Sequence, residues 1–257
     1  MPDPSPRGRP ALPSLSQGNI FVESESLIAR VDATYDLLAE VFRADLPADV
    51  SAPAAHKASD DPVFRRWLDD RLAVERGSGA SAGGPLRAPL VRSAEEWART
   101  ATNADAVSCA TTIDARDEWE TRHAELFQED LNPQDNDIHI AAASAHEARV
   151  LLDAVRLLND VIPDVARATL PHTRIVYALD GSFPIASVTS RRLPRATYIH
   201  RSMWADSLIL ASLLLHESVH QKLYDLQLLY SLRTGLRRAV STHDSSGLAP
   251  SWRRVAT

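Results

Sequence analysis

Leu213 to Leu223 reads L-L-L-H-E-S-V-H-Q-K-L and sets His216, Glu217 and His220 in an HExxH pattern inside a strongly apolar run. Residues four apart share a helix face, so a helix here aims both imidazoles at one point and keeps Glu217 beside them. Ala205 to Tyr230 contains neither Pro nor Gly, Leu208 to Leu215 leads directly into His216, and Leu223, Leu226 and Leu229 continue the apolar spacing. The pattern predicts one long, mostly buried helix. Burying two imidazoles and a carboxylate without a partner is costly, which favours a metal site over histidines that merely bond neighbouring carbonyls. Such a pair suits Zn²⁺ or Fe²⁺.

Upstream of this helix the texture is that of strands. Arg174 to Leu179 and Phe183 to Thr189 are rich in Val, Ile and Tyr, and Asp180 and Gly181 between them predict a hairpin turn. Ala196 to His200 forms a third expected strand, and Met203 to Ser207 turns the chain into the motif helix. Further towards the N-terminus, apolar residues at helical spacing predict packing helices over Ser26 to Phe42 and Asp60 to Glu75, then over Ser93 to Thr102, Ala115 to Phe127 and Ala141 to Val161. Trp97 and Trp119 are the expected buried anchors, and His146 with Glu147 is expected to lie on a solvated helix face.

These elements predict an α+β fold, predominantly helical, with a small antiparallel sheet next to a buried HExxH metal helix. Residues 1–18, rich in Pro, Ser, Gly and Arg, read as a disordered tail, and 19–76 as an N-terminal helical region. G-S-G-A-S-A-G-G-P-L-R-A-P marks a flexible linker over 77–92 and lacks the G-K-[ST] ending of a phosphate loop. The HExxH domain then spans 93–230, and 231–257 is expected to be a basic tail or lid.

A net charge of -6 and a pI near 5.8 give no reason to expect nucleic acid or an anionic membrane as partner. Cys109 is the only cysteine, which excludes an internal disulfide framework and a multi-cysteine zinc site. No run of about eighteen apolar residues is present, and the first ten residues lack the apolar core of a signal peptide. A cytoplasmic protein is the expectation. Lys57 and Lys222 are the only lysines, a bias that suits a GC-rich bacterial genome.

Two reaction classes suit the motif. In a zinc peptidase Glu217 takes the proton from metal-bound water, but Lys222 stands where such enzymes carry an apolar residue, and no glutamate follows Glu217 to complete the usual triad. In a non-haem iron enzyme two histidines and a third group occupy one face of the metal, leaving the opposite positions open. Asp225, five residues past His220, points away around the helix. His243 or Asp244, across a turn at Gly235, are the residues placed to reach back as third ligand. Arg201 or Lys222 could take the distal carboxylate of 2-oxoglutarate, and surface charge is the expectation for both. His56, His123, His139 and His172 read as structural, whereas His200 lies near the start of the motif helix and could enter the site.

The region from about Leu151 to Leu229 resembles the HExxH domain of peptide-modification proteins found with ribosomally made peptide natural products, described as 2-oxoglutarate-type peptide β-hydroxylases. The residues that carry the resemblance are L-L-D-A-V-R-L-L from Leu151, Pro163, I-V-Y-A-L from Ile175, G-S-F from Gly181, S-V-T-S from Ser187, Tyr198 to Ser202, and the H-x-K-L ending at Leu223. They cover about a third of the chain, and Lys222 fits this pattern. The resemblance implies Fe²⁺, 2-oxoglutarate and oxygen acting on an unactivated C–H bond of a precursor peptide, with His216 and His220 as ligands, Glu217 beside them and a biosynthetic partner protein. Family members continue past a Trp-Arg segment corresponding to Trp252 and Arg253, so a shortened or inactive peptide-binding relative is a further alternative beside the zinc hydrolase. Such a relative should keep an exposed strand edge near Ala196 to His200.

Overall fold

The computed structural model describes residues 24–46, 61–75, 89–91, 101–104, 107–111, 113–114, 116–131, 137–182 and 185–243, with backbone alone at 101–104 and 232–243. The expected N-terminal tail, the linker from Gly77 to Ala88, most of the helix expected from Ser93, and Asp244 to Thr257 lie outside the described residues.

Among the described residues the α-helices and short strands follow in the order α1 (Ser24–Val41), α2 (Pro62–Glu75), β1 (Ala101–Ala104), β2 (Val107–Ala110), α3 (Glu118–Leu131), β3 (Ile138–Ala141), α4 (Ala145–Val161), α5 (Pro163–Thr169), β4 (Ile175–Gly181), β5 (Ser187–Ser190), β6 (Leu193–His200) and α6 (Ser207–His243). The fold is α+β. Its sheet is mixed rather than antiparallel, with strands in the order β1-β2-β4-β6-β5 and β3 pairing β4.

The expected hairpin between β4 and β5 does not form. β6 comes between them, parallel to β4 and antiparallel to β5. One edge of β4 is shared: its first residues pair with β2 and its last four with β3, Gly181 opposite Ile138. Asp180 and Gly181 therefore end a strand instead of turning it. Gly181 sits at φ +112, and a Cβ there would lie 1.7 Å from the Asp137 carbonyl oxygen. No side chain fits that approach. Gly181→Ala is expected to cost at least about 2 kcal/mol, by strain and by a forced separation of β3 from β4, read as a lower denaturation midpoint in urea.

Both faces of β4 are covered, as its unbroken apolar run requires. Val176 and Ala178 join Val107, Cys109 and Ile199 against Leu151, Ala154, Val155 and Leu158 of α4 and Leu210, Ala211 and Leu214 of α6. Ile175, Tyr177 and Leu179 face the other way with Tyr198, against Trp119, Leu126 and Phe127 of α3. A third cluster packs α1 on α2, with Leu226, Leu228 and Leu229 of α6 against it. The motif helix thus lies over β5 and β6 at its middle and under α1 beyond it.

Local chemistry fixes the ends of the elements. Asp61 caps α2 by accepting the Val63 and Phe64 amides at 2.9 and 3.0 Å, and takes the indole N–H of Trp119. Ser144 and Glu147 form a reciprocal capping box at the start of α4. Glu147 is buried and pairs with Arg201, so it does not lie on a solvated face. Among the described residues no helix is long and apolar enough to cross a membrane.

Candidate metal site

The two motif histidines converge. His216 and His220 lie one turn apart on α6 with their Nε2 atoms 3.1 Å from each other, and the two rings stand nearly perpendicular. A metal held at about 2.0–2.1 Å from each imidazole needs its two nitrogens about 2.9 Å apart at adjacent octahedral positions and about 3.4 Å apart on a tetrahedral edge. The observed spacing lies between these values, so the donor set fits two positions of a zinc or iron shell.

The helix is half-buried, not mostly buried, and the pair is on its open side. His216 is exposed and His220 half-exposed, with Ile209, Val219 and Leu223 forming an exposed apolar surround. Glu217, one residue on and about 100° around the helix, faces inward. It is buried and its Oε1 accepts the Ser187 hydroxyl of β5 at 2.6 Å. Tyr224 continues the same side of α6, its ring nearly parallel to that of His220 at 6.3 Å between centroids. Burial, and then the Glu217 charge, push the Tyr224 phenol above its ordinary range.

Of the expected third ligands, Asp244 lies outside the described residues and His243 is elsewhere. No turn occurs at Gly235, because α6 continues through it to His243. Twenty-three residues of helix at 1.5 Å per residue carry His243 roughly 35 Å along the axis from His220, so it does not join the pair. The stretch expected as the first half of a tail or lid is this last part of α6. Among the described residues no set of three or more His, Cys, Asp or Glu is arranged to hold a metal ion.

Asp225 does turn away from the pair, and it has its own partners. Its Oδ2 lies 2.7 Å from His172 Nδ1 and its Oδ1 accepts Arg65 at 3.3 Å. On the far side of His172, Nε2 is 3.3 Å from Ser24 Oγ, which donates to the Ala168 carbonyl and receives Lys222 Nζ at 2.8 Å. The order Ser24, His172, Asp225 is that of a hydrolytic triad, but all three side chains are buried and the serine proton is committed to Ala168. The cluster ties the first residue of α1 to α6 and to the turn after α5.

Lys222 is accordingly no surface charge and no cofactor-binding cation beside the pair; it is buried under α1. Arg201 is held by Asp180 at 2.6 Å, Glu147 at 2.9 Å and the Ala142 carbonyl. His200 bonds Ser202 and the Gly181 carbonyl, closing the end of β6, and His123 bonds Tyr198 inside the aromatic core. The other motif residues staple the helix to the sheet. Ser218 bonds Thr173, and Gln221 accepts the Arg195 amide while donating to the Ala196 carbonyl, where Arg195 adopts φ 66. β6 is interior and buried, so Ala196 to His200 offers no exposed edge.

No protein-family model and no curated protein matches the chain. The resemblance noted above rests on the quoted segments alone.

Proposed function

We propose that this chain is a metal-dependent peptide-modifying enzyme that holds Fe²⁺ on His216 and His220 and, with 2-oxoglutarate and oxygen, β-hydroxylates a ribosomally made precursor peptide. The observation that carries the metal is the convergence of two imidazole nitrogens on an open helix face. The substrate class and co-substrate come from the resemblance of the Leu151 to Leu229 segments. Bound iron with 2-oxoglutarate and oxygen supplies the oxidation of an unactivated C–H bond, the co-substrate leaving as succinate and carbon dioxide and one oxygen atom entering the peptide as hydroxyl.

The residues of the chain have separable roles in this reading. His216 and His220 would hold the metal on the open face of α6, where co-substrate and solvent have access. Val219 and Leu223 give the peptide an apolar surface beside the metal. Glu217 and Ser187 fix the helix on β5, which keeps both imidazoles in register. The zinc hydrolase is the weaker reading, since its general base would be Glu217, and that carboxylate is turned from the open face towards Ser187.

The test is succinate formation by anaerobically purified protein supplied with Fe²⁺, 2-oxoglutarate and then oxygen, beside His216→Ala. Succinate that depends on His216 is the expected result. Tightly held zinc and no succinate would move the assignment to a hydrolase, and no bound metal would leave an inactive relative.

A further inference from the structure

The open edge of the sheet is one strand further out than the sequence suggests. β5 is last in the strand order, and among the described residues no strand pairs its outer side. The His200 amide donates to the Ala186 carbonyl at 2.9 Å, and Val188 lies opposite Tyr198. Bonded residues alternate in an antiparallel pair, so Ala186 and Val188 bond β6 while Ser187 and Thr189 turn their amides and carbonyls outward.

The side chains of Ser187 and Thr189 hold this strand along α6. Ser187 donates to Glu217, and the Thr189 hydroxyl accepts from Gln221. Two strand residues span roughly 6.8 Å and four helical residues roughly 6 Å, so β5 runs beside the helix through the motif. At about 100° per residue, Glu217, Gln221 and Ser218 follow one another round α6, and they meet Ser187 of β5, then Thr189 and the Ala196 carbonyl of β6, then Thr173 just before β4. His220 and His216 stand about 60° and 100° from Glu217 in the opposite sense. The histidine pair therefore overhangs the outer side of β5.

The surroundings are uncharged. From Ser207 to Tyr230 α6 has three charged residues, Glu217, Lys222 and Asp225, and all of them are buried. Val219 and Leu223 beside the pair and Ile185 just before β5 are exposed. Outward amides and carbonyls beneath an apolar helix face match one more strand, without charged side chains.

We propose that an extended, uncharged peptide adds to the outer edge of β5, and that its residues opposite Ser187 and Thr189 turn their side chains to the α6 side of the sheet, where the two histidines stand. Directly opposed residues share a sheet face, so these positions and not their neighbours meet the pair. That the peptide is the substrate rests on the proposed function; its place on β5 does not.

The test uses full-length protein in EDTA, so that a wrong metal assignment leaves it intact. The probe is an acetylated, amidated hexapeptide of alternating threonine and valine, with amide exchange followed residue by residue by NMR. The expected result is exchange slowed roughly 5-fold or more at Ser187 and Thr189 and unchanged at Val188, whose amide already bonds β6. Thr189→Pro removes an outward amide where an edge strand tolerates proline, and should weaken binding roughly 10-fold, the loss of one backbone hydrogen bond. Thr189→Ala, which loses only the hydroxyl, should bind like wild type. Thermal melts report whether the Pro variant is folded, and the exchange pattern of the wild type carries the test if it is not. No protection at Ser187 and Thr189, protection at Val188 instead, or equal weakening by the two variants would each overturn the proposal. Slower exchange on concentrating the protein alone would overturn the peptide and give the edge to a second copy. Equal binding of a counterpart with glutamate in place of threonine would overturn the requirement for an uncharged partner.

Discussion

Asp225→Ala is expected to destabilise the protein by about 3–5 kcal/mol, because it strands two buried partners at once. Arg65 and His172 both end on this carboxylate, and neither side chain is reached by solvent to any useful degree. Asp225→Asn, which keeps an acceptor but not the charge, should cost less. Against burial, which acts the other way, the His172 hydrogen bond and then the Arg65 and Arg195 charges hold the Asp225 carboxyl down at about 2. Its contribution is therefore complete above its ordinary value of 3.8 and is lost as pH falls towards 2. His172 titrates earlier. Burial keeps it below its ordinary 6.5, so the unfolded chain takes up a proton the native protein refuses, and stability falls as pH drops below about 6.5. Urea midpoints followed from pH 8 to 3 should decline in these two steps for the wild type, and the Ala variant should lack the lower one. A variant as stable as wild type at pH 7 would show that the cluster does not hold α1 to α6.

The same residues show what could be read from the chain alone. The motif helix was legible because its spacing is local, and so was the convergence of His216 and His220, since four residues of helix fix it. The inward turn of Glu217 was not, because it depends on Ser187, thirty residues away on a strand whose neighbour could not be foreseen. Ile175 to Leu179 announces a buried strand, yet an apolar run with both faces covered carries no alternation and hence no register. The hairpin expected at Gly181 failed for that reason. The glycine serves a close approach to Asp137, and β3, with only four residues, was too short to announce itself. Lys222 reads as a surface charge in the sequence because the partners that bury it come from α1 and from the end of α5. Arg65 meets Asp225 across 160 residues, a distance over which no periodicity speaks.

His216→Ala and His220→Ala should each lower metal affinity by two orders of magnitude or more while leaving the fold almost unchanged. Two imidazoles are the whole convergent donor set among the described residues, so removing either leaves one nitrogen and solvent, a larger loss than the roughly 10–100-fold that follows removal of an outer partner. Stability should change by no more than about 0.5 kcal/mol at His216, because the ring is exposed and among the described residues bonds only His220. That separation of binding from folding distinguishes a metal site from a structural histidine pair, in which truncation would cost stability and leave metal binding weak before and after. Glu217→Gln adds the mechanistic division. The amide can still accept the Ser187 hydroxyl, so an oxygenase that uses Glu217 only to set the helix should keep its metal and most of its succinate formation. A hydrolase that needs the carboxylate as its base should lose activity about 10²–10⁴-fold with metal still bound. Equilibrium dialysis against Fe²⁺ and Zn²⁺ with circular dichroism on the three variants measures both quantities on the same samples, and unchanged metal affinity in His216→Ala would remove the site on which the proposed chemistry depends.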